Sequence, residues 1–491
     1  MMVMALPHLP WLLLLGPIAG AGLCLLPRSS RAALWLLSLV VLAHASLTAA
    51  LCLGVLRGGP ATTAWGWFRV DALSAFHLLL LAFVFSTSTL FAARYFAATD
   101  LSLRRARIFS VLWLASLTAM TLVLVANHLG LMWVGVETTT LMTTFLIAFH
   151  RSRESLEATW KYLMICSVGI AIAFLGMLIF GAAASRVAGG ADAMLWTTLR
   201  DVSGRLDAKL TKLGFIFLLV GYGTKVGLAP MHTWLPDAHS QAPAPVSSIF
   251  SAAMLSTVFY CLMRYLPVVD AATGHVGWAS RLMCLVGALS MIIAAAFILF
   301  QRDVKRMLAY CSVEHMGIIA IGLGLGSLGT FAAMFHTLNH SLAKSVGFSA
   351  AGRLGQMAGT NQMSRLRGIM RTSPLWGTGL CLSLLALIGV VPSAIFMSEL
   401  LVVKAAIDAH ATATLIAFLM AAGMVFLGMF AHAMHMVRGK PDEACGPIRA
   451  SASEWMVTVV PLLLLAILGV WMPEPVRDAL AQAAAIVRPV P

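Results

Sequence analysis

The chain has 491 residues, of which 60% are hydrophobic and only 11% are charged, and its mean hydropathy is +0.91. Because so few charges could not cover the surface of a soluble protein of this length, the composition indicates a polytopic membrane protein. The formal net charge of +14 would suit a nucleic-acid-binding protein, but the basic residues lie in short segments between apolar runs. That placement is typical of membrane topology, so we expect no nucleic acid as a partner.

Apolar runs of roughly 20 residues without period-2 alternation predict membrane helices and exclude a β-barrel. We therefore predict an all-α polytopic fold with 14 spans. The spans are 3–26, 32–56, 70–93, 108–126, 129–149, 159–184, 213–231, 246–266, 278–300, 307–327, 329–350, 374–409, 411–437 and 453–472. The first lacks a basic segment before it and a small-residue cleavage site, so we expect a retained helix rather than a signal peptide.

Lysine and arginine predict the orientation of the spans. Loops after odd-numbered spans hold 19 of these residues, whereas loops after even-numbered spans and the C-terminus hold 11. The positive-inside rule then places odd loops in the cytoplasm and both termini on the periplasmic side of the cell inner membrane.

No cofactor or metal site is expected. The eight cysteines are scattered, without a CxxC pair or a Cys/His cluster. The letters GLGSLG at 324–329 fit a dinucleotide fingerprint, but no strand precedes them, so we reject that interpretation.

Several ionisable residues lie inside predicted spans. A charge at the bilayer centre costs about 2.5–3.5 kcal/mol on insertion scales, so such residues are candidates for function. The lysines are Lys225, Lys344 and Lys404, the acids are Glu137 and Glu399, and the histidines are His336 and His340. His336, His340 and Lys344 follow one helical face at i, i+4 and i+8. The alternative is that these residues are paired structural ions that hold a bundle together.

Spans 7 and 12 share a proline pattern. In GLAPMHTW (227–234) and GVVPSAIF (389–396) a glycine precedes Pro230 or Pro392 by three residues, and an aromatic residue follows the proline by four. Proline removes a backbone hydrogen bond, so we expect both helices to break there. Broken helices of opposite direction in corresponding positions indicate an inverted-repeat transporter with its pathway at the membrane midplane.

Polar residues follow the first break. His232, Asp237 and His239 lie where the cytoplasmic mouth of such a pathway would be. The alternative is that they satisfy backbone groups freed by the break. Beyond the second break, Lys404 and Asp408 stand at i, i+4 and could pair at the outer mouth.

Three segments carry a family resemblance: GLAPMHTWLPDAHSQAPAPVSS, QRDVKRMLAYCSVEHMG and VPSAIFMSELLVV. They resemble the antiporter-like proton-translocating subunits of respiratory complex I and its relatives, which include membrane-bound hydrogenases and multisubunit sodium/proton antiporters. GYGTKVGLAPMH, YCLMRYLP, SVEHMG and NHSLAKS are most similar to the F component of hydrogenase-4 and of formate-hydrogenlyase-type complexes. The resemblance covers about residues 70 to 440.

The resemblance implies 14 spans, two inverted five-helix repeats and a line of buried charges at the midplane. The expected segments are helices 1–3 (1–107), a first repeat of helices 4–8 (108–266), a second repeat of helices 9–13 (278–437), and a C-terminal helix and tail (438–491). Glu137 matches the family's span-5 glutamate, Lys225 its span-7 lysine and Glu399 its span-12 acidic residue. His315, His336, His340 and Lys344 match the polar residues that link the halves.

Two conditions are expected for Lys225. A buried lysine is disfavoured in its charged form, and a nearby glutamate restores that form. Lys225 would therefore be either paired with Glu137 and charged, or unpaired and ready to lose its proton.

One position departs from the family pattern. Complex I relatives carry a central lysine in span 8, where this sequence has Ser256 in MLSTVFYC. A relay between the halves would then run through water and histidines, or be interrupted.

We therefore predict a proton-translocating membrane-arm subunit of a hydrogenase-4-like or complex I-like redox complex. A relay of buried Glu, Lys and His would move the protons, and the chain would hold no catalytic centre or redox cofactor of its own. The expected partners are other membrane subunits, protons or Na⁺, and the lipid bilayer. The alternatives are a subunit of a multisubunit cation/proton antiporter and a non-pumping membrane scaffold.

Overall fold

The computed structural model describes residues 8–63, 65–99, 101–274, 277–439 and 450–488. These residues form helices throughout, with one two-stranded antiparallel pair, β1 (Ala61–Thr62) and β2 (Arg69–Val70). The helices are α1 (Leu9–Leu23), α2 (Ser30–Gly58), α3 (Ala72–Ala97), α4 (Leu103–Val125), α5 (Leu129–Ile147), α6 (Arg153–Ser185), α7 (Trp196–Asp201), α8 (Ala208–Val226), α9 (Trp234–Gln241), α10 (Ala244–Ile249), α11 (Leu255–Thr273), α12 (Trp278–Ile298), α13 (Val304–Gly324), α14 (Gly326–Ala358), α15 (Ile369–Thr372), α16 (Pro374–Leu387), α17 (Ala394–Asp408), α18 (Thr412–Val437), α19 (Ala452–Val470) and α20 (Glu474–Val487).

Within these ranges, ten helices are long and apolar enough to cross a membrane. The chain is therefore a multipass membrane protein, and the count of 14 spans stays a prediction. The most buried candidate is Ala244–Thr273, in which a π-helical turn (Phe250–Met254) joins α10 to α11. α13 and the middle of α14 are buried almost as completely, so these three segments form the centre of the bundle.

Short polar side chains fix where many helices begin. Asp71 accepts a hydrogen bond from Ser74 N (3.1 Å) at the start of α3, and Asp303 accepts from Lys305 N (2.8 Å) and Arg306 N at the start of α13. Ser152 and Ser155 form a reciprocal capping box at α6. Each such cap stabilises a helix by about 1 kcal/mol, so these apolar helices begin at defined residues.

The helix around Pro230 is interrupted. α8 ends at Val226, Gly227 has φ +83°, and helix resumes only at Trp234. Leu228 N donates to Gly223 O (2.9 Å), and Met231 N donates to Leu228 O (3.0 Å).

The segment around Pro392 has the same backbone pattern. The predicted span 374–409 consists of two helices, α16 and α17, and Gly389 between them has φ +70°. Val390 N donates to Leu385 O (3.0 Å), and Ser393 N donates to Val390 O (3.0 Å). These bonds sit at the same offsets from the glycine as those at the first break. Both prolines follow cis peptide bonds.

The tail predicted after the last span contains a helix. α20 buries Leu480, Ala483, Ala484 and Val487. Arg488, at its end, pairs with Asp270 (3.4 Å) and donates to Ser280 Oγ (2.7 Å). α20 was not predicted from the sequence, because only one face of the helix is apolar.

Candidate functional site

Lys225 is fully buried at the C-terminal end of α8, beside the first break. Its ammonium donates to Thr140 Oγ1 on α5 (3.0 Å) and to the hydroxyl of Tyr162 on α6, whose ring centroid is 4.4 Å away. The Tyr162 hydroxyl is also 2.6 Å from Thr143 Oγ1. Neutral hydroxyls and an aromatic face therefore hold this cation.

Glu137 lies on α5, three residues before Thr140 and on the same helical face. Its Oε1 accepts from Ser167 Oγ (3.3 Å), and its Oε2 has no hydrogen-bond partner. Among the described residues, Glu137 and Lys225 form no ion pair with each other. The structure therefore shows Lys225 without Glu137 as its partner, which is the second of the two conditions expected for this lysine.

Trp234 and Ser290 satisfy backbone groups freed at the first break. Trp234 Nε1 donates to Thr224 O (2.8 Å), and Ser290 Oγ accepts from Ala229 N (2.9 Å).

The three predicted mouth residues separate into two environments. Asp237 is part-exposed and pairs with Lys161 (3.2 Å) and Arg306 (3.1 Å), so it ties α9 to α6 and α13. His232 and His239 are buried; His232 Nδ1 and both ring nitrogens of His239 lack hydrogen-bond partners. The two rings nearest His239 are those of Phe348 and Phe250, with centroids 5.3 Å and 5.9 Å away.

Two histidines and a serine form a short buried chain beside the second break. His315 Nδ1 on α13 is 2.8 Å from His336 Nε2 on α14, and His336 Nδ1 is 2.9 Å from Ser398 Oγ on α17. Asn339 Nδ2 donates to Ala394 O (2.8 Å) and so holds the first residue of α17. This chain leads from the centre of the bundle to the residue next to Glu399.

His340 and Lys344 extend the same face of α14. The His340 ring centroid is 5.1 Å from that of His315, and both His340 nitrogens lack hydrogen-bond partners. Lys344 Nζ donates to Leu308 O (2.6 Å). On this face of α14, His340 and Lys344 therefore make no ion pair with any described residue.

Glu399 lies against the second break. A methyl group added to Gly389 would stand 2.5 Å from Glu399 Oε2, so the carboxylate reaches back to the glycine with the left-handed backbone. Lys404 differs from Lys225 and Lys344, because its side chain is 62% exposed and it pairs with Asp408 (2.7 Å) near the end of α17.

Ser256 bonds within its own span rather than to a neighbouring helix. Its hydroxyl donates to Ala253 O in its own helix (2.9 Å). Two serine hydroxyls join this span to its neighbours in the centre of the bundle: Ser251 Oγ is 2.8 Å from Ser312 Oγ on α13, and Ser341 Oγ on α14 donates to Ala252 O (2.6 Å). Both contacts lie at the π-helical turn, a feature often found at functional sites.

Glu314 is a buried acid that the sequence analysis overlooked. It lies on α13 beside His315, is 3% exposed, and its Oε2 has no hydrogen-bond partner. The signal was present, because an acid inside an apolar span is the criterion that selected Glu137. Thr140 was also detectable, one turn along α5 from Glu137, whereas the sequence held no signal for Tyr162.

One group of potential metal ligands comes together among the described residues. Atoms of Cys311, Glu314 and His315 lie within 4.8 Å of one another. Structural zinc sites use four protein ligands, and His315 already contacts His336, so we treat the group as part of the polar interior.

Several other buried charges are paired. Arg264 makes a bidentate contact with Asp71 (2.6 and 2.7 Å) and also donates to Ser74 Oγ (2.7 Å). Arg353 pairs with Glu454 (3.4 Å), and Arg488 pairs with Asp270 (3.4 Å). All three pairs involve a residue at or near a helix end.

These observations define a class: a multipass membrane protein with two interrupted helices and buried ionisable side chains that make no ion pairs. The family described as NADH:quinone oxidoreductase/Mrp antiporter, TM, matches residues 126–425, and the chain belongs to this family.

Individual relatives agree with this assignment. The chain is 38% identical over 420 residues to the hydrogenase-4 component F homolog of Methylacidiphilum infernorum, a match that covers 84% of this chain and 87% of that protein. It superposes with a TM-score of 0.86 at 22% identity on a chain of the archaeal membrane-bound sulfane sulfur reductase, covering 98% of each. For a chain of respiratory complex I from Thermus thermophilus the TM-score is 0.76 at 24% identity, covering 94% of this chain and 96% of that one. The two structures establish a shared fold.

Proposed function

We propose that this chain is a proton-translocating membrane-arm subunit of a hydrogenase-4-like or complex I-like redox complex. It would work beside other membrane subunits and hold no redox cofactor of its own. Family membership and the similarity to the hydrogenase-4 component F homolog support this role.

The observation that carries the proposal is the absence of ion pairs at five buried or largely buried charged positions. In the described part of the chain, Glu137, Lys225, Glu314, Lys344 and Glu399 take part in no ion pair. A structural ion needs its partner, because desolvation is otherwise uncompensated. A relay group must be able to gain and lose a proton, and hydroxyl partners allow both conditions.

Lys225 is built to exchange partners. Thr140 and Glu137 are three residues apart on α5, which is a rise of about 4.5 Å along the helix. The flexible lysine side chain could bridge that distance by leaving the Thr140 hydroxyl and pairing with Glu137, and this would favour its charged form. Movement of Lys225 between the two sites would therefore change its affinity for a proton.

In the second half, the proposed relay passes through His315, His336, His340 and Lys344 to Glu399. The His315–His336 and His336–Ser398 distances are those of hydrogen bonds, along which a proton can transfer. Glu314 joins this set as a second-half acid. Water would carry the step between the halves near Ser251 and Ser312, since Ser256 bonds to its own helix.

We assign the entry of protons to the first helix break and their exit to the second. Protons would enter past His232, Asp237 and His239 and leave from Glu399 past Lys404 and Asp408. With odd loops in the cytoplasm, both termini lie on the outer side of the inner membrane.

We infer that the two breaks belong to inverted repeats at 108–266 and 278–437, within a total of 14 spans. The equal offsets of glycine, proline and backbone hydrogen bonds support this inference. In that arrangement span 10, which is α13, corresponds to span 5, so Glu314 corresponds to Glu137 and Glu399 to Lys225.

Lys225→Ala tests the proposed function. Proton uptake would be followed in inverted membrane vesicles, with assembly of the complex measured on the same membranes. We expect translocation to be lost while assembly persists, because Lys225 has no charged partner to be left unpaired. Unchanged pumping in the mutant would contradict the relay.

The second candidate is a subunit of a cation/proton antiporter without redox chemistry, since the matching family includes antiporters. Co-purifying subunits distinguish the two: hydrogenase or quinone-reductase subunits support the first, and only membrane subunits support the second. A non-pumping scaffold is disfavoured by the unpaired charges.

A further inference from the structure

A polar cavity of about 520 Å³ opens beside the start of α2 and the end of α3, and none of the proposed relay residues lines it. It is lined by the first turn of α2, by the last turn of α3, and by Thr99 and Leu101 between α3 and α4. Two arginines, Arg31 and Arg94, are among its lining residues. Cavities of this volume are typical of small-ligand sites. Because two arginines line the cavity, the ligand it favours is an anion.

Arg94 is fixed in place at the wall of this cavity. Its Nε donates to Ser453 Oγ on α19 (3.2 Å), and its guanidinium carbon is 5.8 Å from the Trp35 ring centroid. The Nε contact positions the guanidinium group of Arg94 and leaves its two terminal nitrogens available. Guanidinium groups bind phosphate oxygens in a bidentate manner through such nitrogens. The start of α2 adds the positive end of a helix dipole.

An apolar stripe continues from the cavity along α2. Trp35, Leu39 and Leu42 are 50%, 63% and 40% exposed, and with Arg31 they recur at i, i+4, i+8 and i+11. Tryptophan at the boundary between a polar cavity and an apolar stripe is typical of the membrane interface. A free phosphate would use only the cavity, whereas a phospholipid would use both parts.

We propose that this surface binds an anionic diacyl phospholipid, with the phosphate between Arg31 and Arg94 and an acyl chain along Trp35, Leu39 and Leu42. The charge of the cavity selects the headgroup, and the exposed stripe supplies the apolar contact. This proposal does not depend on proton translocation.

The assembled complex, delipidated in detergent, is tested by native mass spectrometry with phosphatidylglycerol or with phosphatidylcholine of the same acyl chains. We expect preferential binding of phosphatidylglycerol. Each of Arg31→Gln and Arg94→Gln should weaken it about fivefold, as expected for one basic residue at a membrane surface. Arg57→Gln, an exposed arginine at the other end of α2, is the matched control and should change nothing.

Two further measurements show whether the bound anion is a phospholipid headgroup or a free phosphate. Glycerol phosphate should not displace the lipid, and Leu39→Asn should weaken the binding of phosphatidylglycerol. Arg31 is exposed, so its variant should keep the fold even if Arg94→Gln disturbs α19. Equal binding of both lipids, an equal loss with Arg57→Gln, displacement by glycerol phosphate, or binding only after neighbouring subunits are removed would each overturn the proposal.

Discussion

Apart from Lys305, whose ammonium donates to the carbonyls of Ser240 and Ala242, the buried charges of the described residues fall into two groups that differ in their partners. Near helix ends, arginines and acids form ion pairs, and Arg264–Asp71 is the tightest, with two contacts of 2.6 and 2.7 Å. Beside the helix breaks and inside α5, α13 and α14, lysines and acids contact hydroxyls, a carbonyl or no polar partner. Desolvation acts on both groups, but only the first group is compensated by opposite charge.

The difference separates two uses of a charge in an apolar interior. A paired ion fixes the position of two helices, and removing one partner leaves the other uncompensated. An unpaired ion adds little to the bundle, so its retention needs a functional reason. Mutations of the first group should therefore affect assembly, and mutations of the second group should affect transport.

The largest effect on stability is expected for Arg264→Gln. Asp71 would remain as a buried carboxylate without its partner, which costs about 3–5 kcal/mol. Thermal unfolding and assembly of the complex would be measured. Lys225→Met, which removes an unpaired buried cation of similar size, is the matched variant and should assemble normally. Equal instability of the two variants would remove the distinction between the groups.

Glu399→Gln should have a large effect on the coupling ratio, the number of protons moved per electron pair. The substitution keeps shape and hydrogen bonds but removes the titration, so protons moved per electron pair should fall steeply while redox turnover falls less. If Glu399 is a structural ion, assembly should fall instead. An unchanged ratio in a fully assembled complex would exclude Glu399 from the relay.

A smaller loss is expected for Glu314→Gln. If Glu314 corresponds to Glu137, both Gln variants should assemble and both should pump more slowly. We expect the loss at Glu314 to be partial, since His315 and His336 still form a hydrogen-bonded chain beside it. Proton uptake by vesicles that carry each variant tests this prediction. A wild-type rate for Glu314→Gln, together with a reduced rate for Glu137→Gln, would exclude Glu314 from the relay.

Sequence alone predicted the membrane class, the helix breaks at the two prolines, and four of the five charges discussed above that make no ion pair; it did not predict the charges that form buried ion pairs. The predicted features follow from local signals: apolar length, a Gly–Pro pattern, and single ionisable residues within spans. Tyr162 and Ser398 could not be found in this way, because an isolated hydroxyl in a span becomes informative only when folding brings it to Lys225 or His336. The Arg264–Asp71 pair could not be predicted either, because the two residues are 193 positions apart in the sequence. α20 was missed because an amphipathic helix lacks a long apolar run.

The smallest effect is expected for Lys404→Ala. Lys404 was grouped by sequence with Lys225 and Lys344, yet its side chain is 62% exposed and its partner Asp408 is 52% exposed. An exposed i, i+4 pair contributes about 0.3–0.5 kcal/mol, so stability should hardly change. If the pair lies at the exit, its removal should alter the pumping rate by less than about twofold at low ionic strength, and salt should abolish the difference because exposed charges are screened. The coupling ratio should stay at the wild-type value, since proton loading of Glu399 does not involve Lys404. A fall in this ratio comparable with that of Glu399→Gln would place Lys404 within the relay and would show that exposure does not separate the two groups of charges.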